Sequence, residues 1–250
     1  MTLFPHEFRN QVRLYLRSRE LAFFTFLLPV IIFILLGSVY GGDTIEGVKG
    51  SRYLLAGMLG YGVVATVFAG LSIVLVIRRE SGVLKRLRAT PLPAPTYIAA
   101  MLCTFLLAFS IEVLCLVLLA RFLFDVPLPD QPLSLLAGLL LGAAAFAALG
   151  IGLAAVVSSA EGSSAVVNAI YLPMAFLSGA FFSPHSFPSF LRAIADVLPL
   201  TYFIRIVRDV MLHGDPIWSV WPSVLAVAAW GVFGLAVAIR KFHWEPAEGR

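Results

Sequence analysis

The sequence is short of charge. Asp, Glu, Lys and Arg make up 13% of its 250 residues, against 60% that are apolar, and mean hydropathy is +0.94. A water-soluble domain of this length needs more polar surface, so the surplus apolar surface must meet lipid. Lysine is scarcer still. Lys49, Lys85 and Lys241 are the full set, and none stands in Gly-x-x-x-x-Gly-Lys-Ser/Thr, so no phosphate-cradling P-loop can be built. The two cysteines, Cys103 and Cys115, fall on one expected helix. They lie roughly 18 Å apart along its axis, which excludes a bond between them and leaves them as small apolar packers. His6, His185, His213 and His243 are scattered, with no i, i+4 pair and no cysteine nearby, so no metal site is expected. A Ser-His-Asp set and paired carboxylates are missing too, and no catalytic residue is assigned.

What is present is a series of long apolar runs. A helix needs about 20 apolar residues to cross the hydrocarbon layer. Six stretches are read as spans, at 21–41, 53–77, 97–124, 133–157, 165–182 and 218–239. Unpaired backbone groups are not tolerated in lipid, and the alternation of a barrel strand is missing, so the fold class is an all-α integral membrane domain over 1–250. The first run does not read as a cleaved leader: twenty residues precede it, four of them arginine, and no Ala-x-Ala follows it. Orientation follows from the basic residues. With the N-terminus inside, twelve of the eighteen lysines and arginines fall on the cytoplasmic side, among them Arg9, Arg13, Arg17, Arg78, Arg79, Lys85, Arg86 and Arg88. Both termini are therefore expected in the cytoplasm. The net charge of +4 suits anionic headgroups and an intracellular partner and does not call for nucleic acid.

Three pieces between the runs carry patterns. In the arm at 5–20, Phe4, Phe8, Val12 and Leu16 recur every four residues beside a stripe of Arg9, Arg13 and Arg17. A topology signal needs charge but not periodic aromatics, so this reads as an amphipathic helix lying in the interface. The loop at 79–90 reads as a short basic helix, with Val83, Leu84 and Leu87 on one face and Pro91, Pro93 and Pro95 stiffening its return. Two readings of it stay open: a knob of exposed leucines for a protein groove, or a basic loop on lipid. The stretch at 187–213 is too polar to span and too apolar for an ordinary loop. Pro188 opens one short helix with Phe190, Ile194 and Val197; Pro199 breaks it, and a second follows with Phe203, Val207, Val210 and Met211.

Polar groups inside the runs are costly, which invites a functional reading. Glu112 sits near the middle of the third run and either meets a cationic substrate or serves as a hydrogen-bonded packing residue. Asn168 and Pro173 in the fifth run read first as a bent packing helix and otherwise as shaping a cavity. Ala56-x-x-x-Gly60 and Gly138-x-x-x-Gly142 are faces for close helix packing, within or between subunits. Ser158-x-x-Glu161 reads as a capping box opening the fifth run.

The run Glu80-x-Gly82-x-Leu84-Lys85-x-Leu87-x-x-Thr90-Pro91 resembles the signature of the ABC-2 family of transporter permeases, the drug-resistance and efflux branch in particular. Pro199-Leu200-Thr201-Tyr202, then Arg205 or Arg208 and Gly214, and the closing Arg240-Lys241-Phe242-x-Trp244 are similar to further family elements, so the likeness covers nearly the whole chain. The resemblance implies six spans with an N-terminal elbow helix, a cytoplasmic coupling helix and an extracytoplasmic re-entrant pair before the last span. It implies that Glu80, Gly82, Leu84, Lys85, Leu87, Arg88, Thr90 and Pro91 couple the chain to a separate ABC ATPase subunit, which binds ATP and Mg; this chain binds no cofactor. It also implies a second permease subunit, identical or homologous, and a prokaryotic plasma membrane. The expected role is export of an amphipathic drug or lipid-like substrate past Glu112, Asn168 and Tyr202. Two alternatives stand beside it: export of a polysaccharide or lipid-linked glycan, and an ion-coupled carrier working through Glu112.

Overall fold

The computed structural model describes residues 3–90 and 92–241; Pro91 and the closing Phe242-x-Trp244 element lie outside the described residues. The chain is mostly helical. It begins with α1 (Leu3–Arg17), and Ser18 then restarts the helix by accepting a hydrogen bond from Leu21 N at 3.4 Å. From there α2 (Arg19–Ala22), a π-helical stretch Phe23–Leu27 and α3 (Leu28–Tyr40) run on as one rod. A small antiparallel hairpin follows, β1 (Thr44–Ile45) and β2 (Val48–Lys49), turned by Glu46 and Gly47, both at positive φ. This hairpin is a β element that the apolar pattern does not announce.

The next rod is divided. It consists of α4 (Gly50–Gly62), a π-helical stretch Val63–Gly70 and α5 (Leu71–Glu80). Gly82, at φ +72, makes the sharp turn into α6 (Val83–Arg88). Then come α7 (Ala94–Phe124), α8 (Pro132–Val156), α9 (Ala160–Leu177), a 3-10 turn Pro184–Ser186, α10 (Ser189–Ala195), α11 (Pro199–Arg208) with a π-helical extension Asp209–His213, and α12 (Trp221–Lys241).

Among the described residues, five helices are long and apolar enough to cross a membrane: Arg19–Tyr40, Gly50–Glu80, Ala94–Phe124, Pro132–Val156 and Trp221–Lys241. The fifth expected run is present as α9, but it has 18 residues, carries Glu161 and Asn168, and is not among the five. Its cap also differs from the expected box. Ser159, not Ser158, accepts from Gly162 N, at 3.2 Å.

Small residues set the packing. The most extensive contact in the chain is α8 on α12. A Cβ on Gly231 or Gly234 would sit 3.0 and 2.6 Å from the backbones of Ala145 and Leu149, so these helices touch through their main chains. The two small-residue faces noted in the sequence act within the chain. Gly60 on α4 faces Ile204, and Gly138 and Gly142 on α8 face Ile206 and Phe203. Together they form a socket for α11, whose Leu200, Phe203, Ile204, Ile206 and Val207 are buried completely. The expected hairpin is therefore two unlike halves: α11 belongs to the core, while Phe190, Ile194 and Val197 of and after α10 are exposed.

Candidate functional site

A cleft of about 860 Å³ opens among the described residues. One wall comes from α1, the start of the first rod and α7; the other comes from the π-helical stretch Val63–Gly70, α5, α6 and α9. Its surface is mostly apolar, from Leu21, Phe24, Ala65, Ile73, Val74 and Phe105, with Tyr15, Tyr61, Tyr171, Asn168 and Ser164 among the polar lining groups. A concave apolar surface with a few placed polar groups is the ordinary form of a ligand site.

The helix α1 supports this cleft in an unexpected way. Its buried stripe is polar: Glu7, Gln11 and Tyr15. Gln11 Nε2 donates to Glu7 Oε1 at 2.5 Å, and Tyr15 Oη shares a 2.5 Å hydrogen bond with Thr25 Oγ1 of the first rod. Burial pushes the Tyr15 phenol up to about 12, so it remains a neutral hydrogen-bonding group. The apolar residues Phe4 and Leu16 are exposed. Nothing in the apolar periodicity pointed to the polar stripe; its own i, i+4, i+8 spacing was the available signal.

Below the cleft, two adjacent arginines reach in different directions. Arg78 Nη1 donates to Gln11 Oε1 of α1 at 2.5 Å and to Tyr97 Oη of α7 at 2.8 Å. Arg79 is buried; its Nη1 donates to the Ala154 carbonyl at 2.8 Å and its Nη2 to the Val157 carbonyl. Its Nε lies 3.2 Å from Glu80 Oε1. The guanidinium thus occupies carbonyls left free at the C-terminus of α8. In the sequence both arginines count merely as positive charge.

These contacts fix the end of α5, against which α6 packs. The expectation of displayed leucines requires correction. Leu84 is buried completely and Leu87 packs half-buried against the core, because α6 is folded back against the protein and needs an apolar anchor. Among the described side chains of α6, Val83, Lys85 and Arg86 are exposed; Val83 and Leu87 also line the cleft. Glu80 is held by Arg79, Thr90 Oγ1 donates to the Leu87 carbonyl at 2.7 Å, and Arg88 ends the helix.

The three residues assigned to a substrate path are not brought together. Asn168 lines the cleft. Glu112 is buried on α7 beside it, accepting from Thr66 Oγ1 at 2.8 Å, with Oε1 unpartnered. It faces Gly62, where a Cβ would lie 2.6 Å from Glu112 Oε1. Tyr202 is elsewhere, on α11, donating to the Asp196 carbonyl at 2.6 Å. Thr201 Oγ1 donates to the Ala195 carbonyl, also at 2.6 Å. The Thr-Tyr pair therefore closes the C-terminal end of α10, a structural reason for that dipeptide. Arg208 packs its guanidinium 3.7 Å above the Tyr53 ring and donates to the Gly179 carbonyl at 2.5 Å, tying α11 to α4 and to the turn after α9.

The model of the ABC-2 type transporter family matches residues 3–212. The chain is 25% identical over 170 residues to the inner membrane transport permease YhhJ of Escherichia coli (strain K12), covering 68% of this chain and 46% of that protein. It is 28% identical over 194 residues to ycf38 of Porphyra purpurea, which carries a transport-permease name, covering 76% and 64%. The chain thus spans about half to two thirds the length of these relatives. With a family match over most of its length and several helices long and apolar enough to cross a membrane, the chain belongs to the ABC-2 type transporter family as a multi-pass membrane component.

Proposed function

We propose that this chain is the membrane subunit of an ATP-driven exporter and that a separate ATPase subunit docks on α6. The observation that carries the reading is the mounting of α6. A six-residue helix is anchored by the buried Leu84 against the end of α5, which Arg79 and Arg78 tie to α8, α1 and α7, while Val83, Lys85 and Arg86 are exposed. A loop that serves topology alone needs charge and no such support. The cationic face suits an acidic groove on the partner.

In this reading α1 is the elbow helix, α9 is the sixth, shorter span, and α10 and α11 form the re-entrant pair, with α1 and α6 in the cytoplasm. The membrane is a prokaryotic plasma membrane, and a second permease subunit completes the assembly. ATP and Mg belong to the partner. The cleft takes the substrate, an amphipathic drug or lipid-like molecule, with the apolar body on Ile73, Val74 and Phe105 and the polar end near Asn168 and Tyr171. A second reading, export of a glycan, is favoured by one observation: Tyr15, Tyr61, Tyr97, Tyr171, Phe24 and Phe105 all line the cleft. Aromatic faces suit sugar rings as well as drugs.

The test is purification from native membranes in mild detergent. A soluble protein with a Walker A motif should accompany the chain stoichiometrically. Lys85→Glu with Arg86→Glu should release it, since both side chains face outward. A partner retained by that double variant would refute docking on α6. Stimulation of the complex's ATPase by an amphiphile, and not by a glycan, decides between the two substrates.

A further inference from the structure

The two arginines at the base of α5 are one residue apart, so they leave the helix about 100° apart and meet different neighbours. Arg79 grips backbone carbonyls at the end of α8, in a buried setting. Arg78 reaches side chains on α1 and α7. The packing divides the same way. The helix α5 packs on α8 and α9, α8 packs on α12, and α1 packs on α7. The cleft of about 860 Å³ lies between these two groups, with Arg78 among its lining residues and Arg79 not. The rod containing α5 is itself interrupted by the π-helical stretch Val63–Gly70, above which α4 packs on α7. Such interruptions mark places where a helix can yield.

We propose that Arg79 is a positioning residue that makes α6, α5 and the end of α8 one rigid body, and that the cleft is the seam along which this body moves against α1 and α7. A guanidinium fork on two main-chain carbonyls holds both distance and angle. The Arg78 contacts to Gln11 and Tyr97 form the clasp at the base of the seam. The Thr66–Glu112 hydrogen bond, between the π-helical stretch and α7, forms the clasp within the membrane. A push on α6 therefore passes undiminished to α8 and changes the width of the cleft. This gives Glu112 a part in the motion without requiring it to touch substrate. The inference rests on the docking of an ATPase at α6 for its driving force, but not for the rigid body itself.

Spin labels test it in the assembled complex, with Cys103 and Cys115 replaced by alanine. Labels at Ala89, which ends α6, and Ser158 report α6 against the end of α8; labels at Ala89 and Asn10 report α6 against α1. All three positions are exposed. Between nucleotide-free and nucleotide-trapped states the first distance should hold within about 1 Å, while the second shifts by about 2–5 Å. Arg79→Lys keeps the charge and loses the fork. It should free the first distance and lower the substrate molecules moved per ATP by about tenfold, with hydrolysis retained. A first distance that changes in the unaltered complex would overturn the proposal, as would Arg79→Lys with normal stoichiometry of transport. Hydrogen exchange on the permease alone separates this from the docking reading. Arg79→Lys should raise exchange in the last turn of α8 and in α6 together and leave α1 alone. That result without any co-purifying ATPase would sink the docking reading and keep the rigid body. Exchange unchanged at both places would sink the rigid body.

Discussion

The helices α1 and α11 are both amphipathic, and they turn opposite sides toward the protein. In α11 the buried face is apolar, Leu200, Phe203, Ile204, Ile206 and Val207, seated in a socket of glycines on α4 and α8. In α1 the buried stripe is Glu7, Gln11 and Tyr15, while Phe4 and Leu16 remain outside. In the proposed reading the outer face of α1 meets lipid. Lipid tails are as apolar as leucine, so burying apolar residues gives no hydrophobic gain between helices bordering lipid, and polar contacts or close packing must hold them. An amphipathic pattern therefore states that a helix has two faces without stating which one the protein takes.

The largest test of this contrast is Phe203→Ala, which leaves a cavity in the α11 socket and should cost about 3–5 kcal/mol, read as a lower thermal midpoint in detergent. Gln11→Leu removes the acceptor of Arg78 from the polar stripe of α1. It should cost about 1.5–3 kcal/mol, because the bond involves a charged group. Thr66→Val, which leaves Glu112 without its donor, belongs near the lower end, at about 1–3 kcal/mol. Leu16→Ala and Phe190→Ala remove exposed apolar groups and should each stay within about 0.5 kcal/mol in the same assay. A Leu16→Ala cost matching that of Phe203→Ala would break the comparison outright.

Much of the frame was legible in the sequence. The long apolar runs at α3, α7, α8 and α12 declare themselves by length, and Pro188 and Pro199 mark the breaks around α10. The short helix α6 was read from its leucines and the prolines after it, and the likeness of its residue order to a family signature is supported by the family match. Side-chain direction was not legible there. Six residues are too few for periodicity to say which face meets the protein, and Leu84 went inward. Arg78 and Arg79 were hidden for another reason. Charge beside a span marks topology equally well whether it points at water or at a carbonyl, and the carbonyls of Ala154 and Val157 lie some 75 residues away. The cleft itself joins groups from α1, α5 and α9, so no single stretch carries its signature.

The central claim is that ATP hydrolysed by a partner drives an amphipathic molecule through the cleft. It is tested most directly in inside-out vesicles carrying the chain and its co-purified partner, with a fluorescent amphiphile supplied in the medium. The account predicts uptake that requires ATP, survives a protonophore, and is lost in the Lys85→Glu, Arg86→Glu variant. Uptake that instead follows a proton gradient without ATP, and fails in Glu112→Gln, would contradict it and make the chain an ion-coupled carrier.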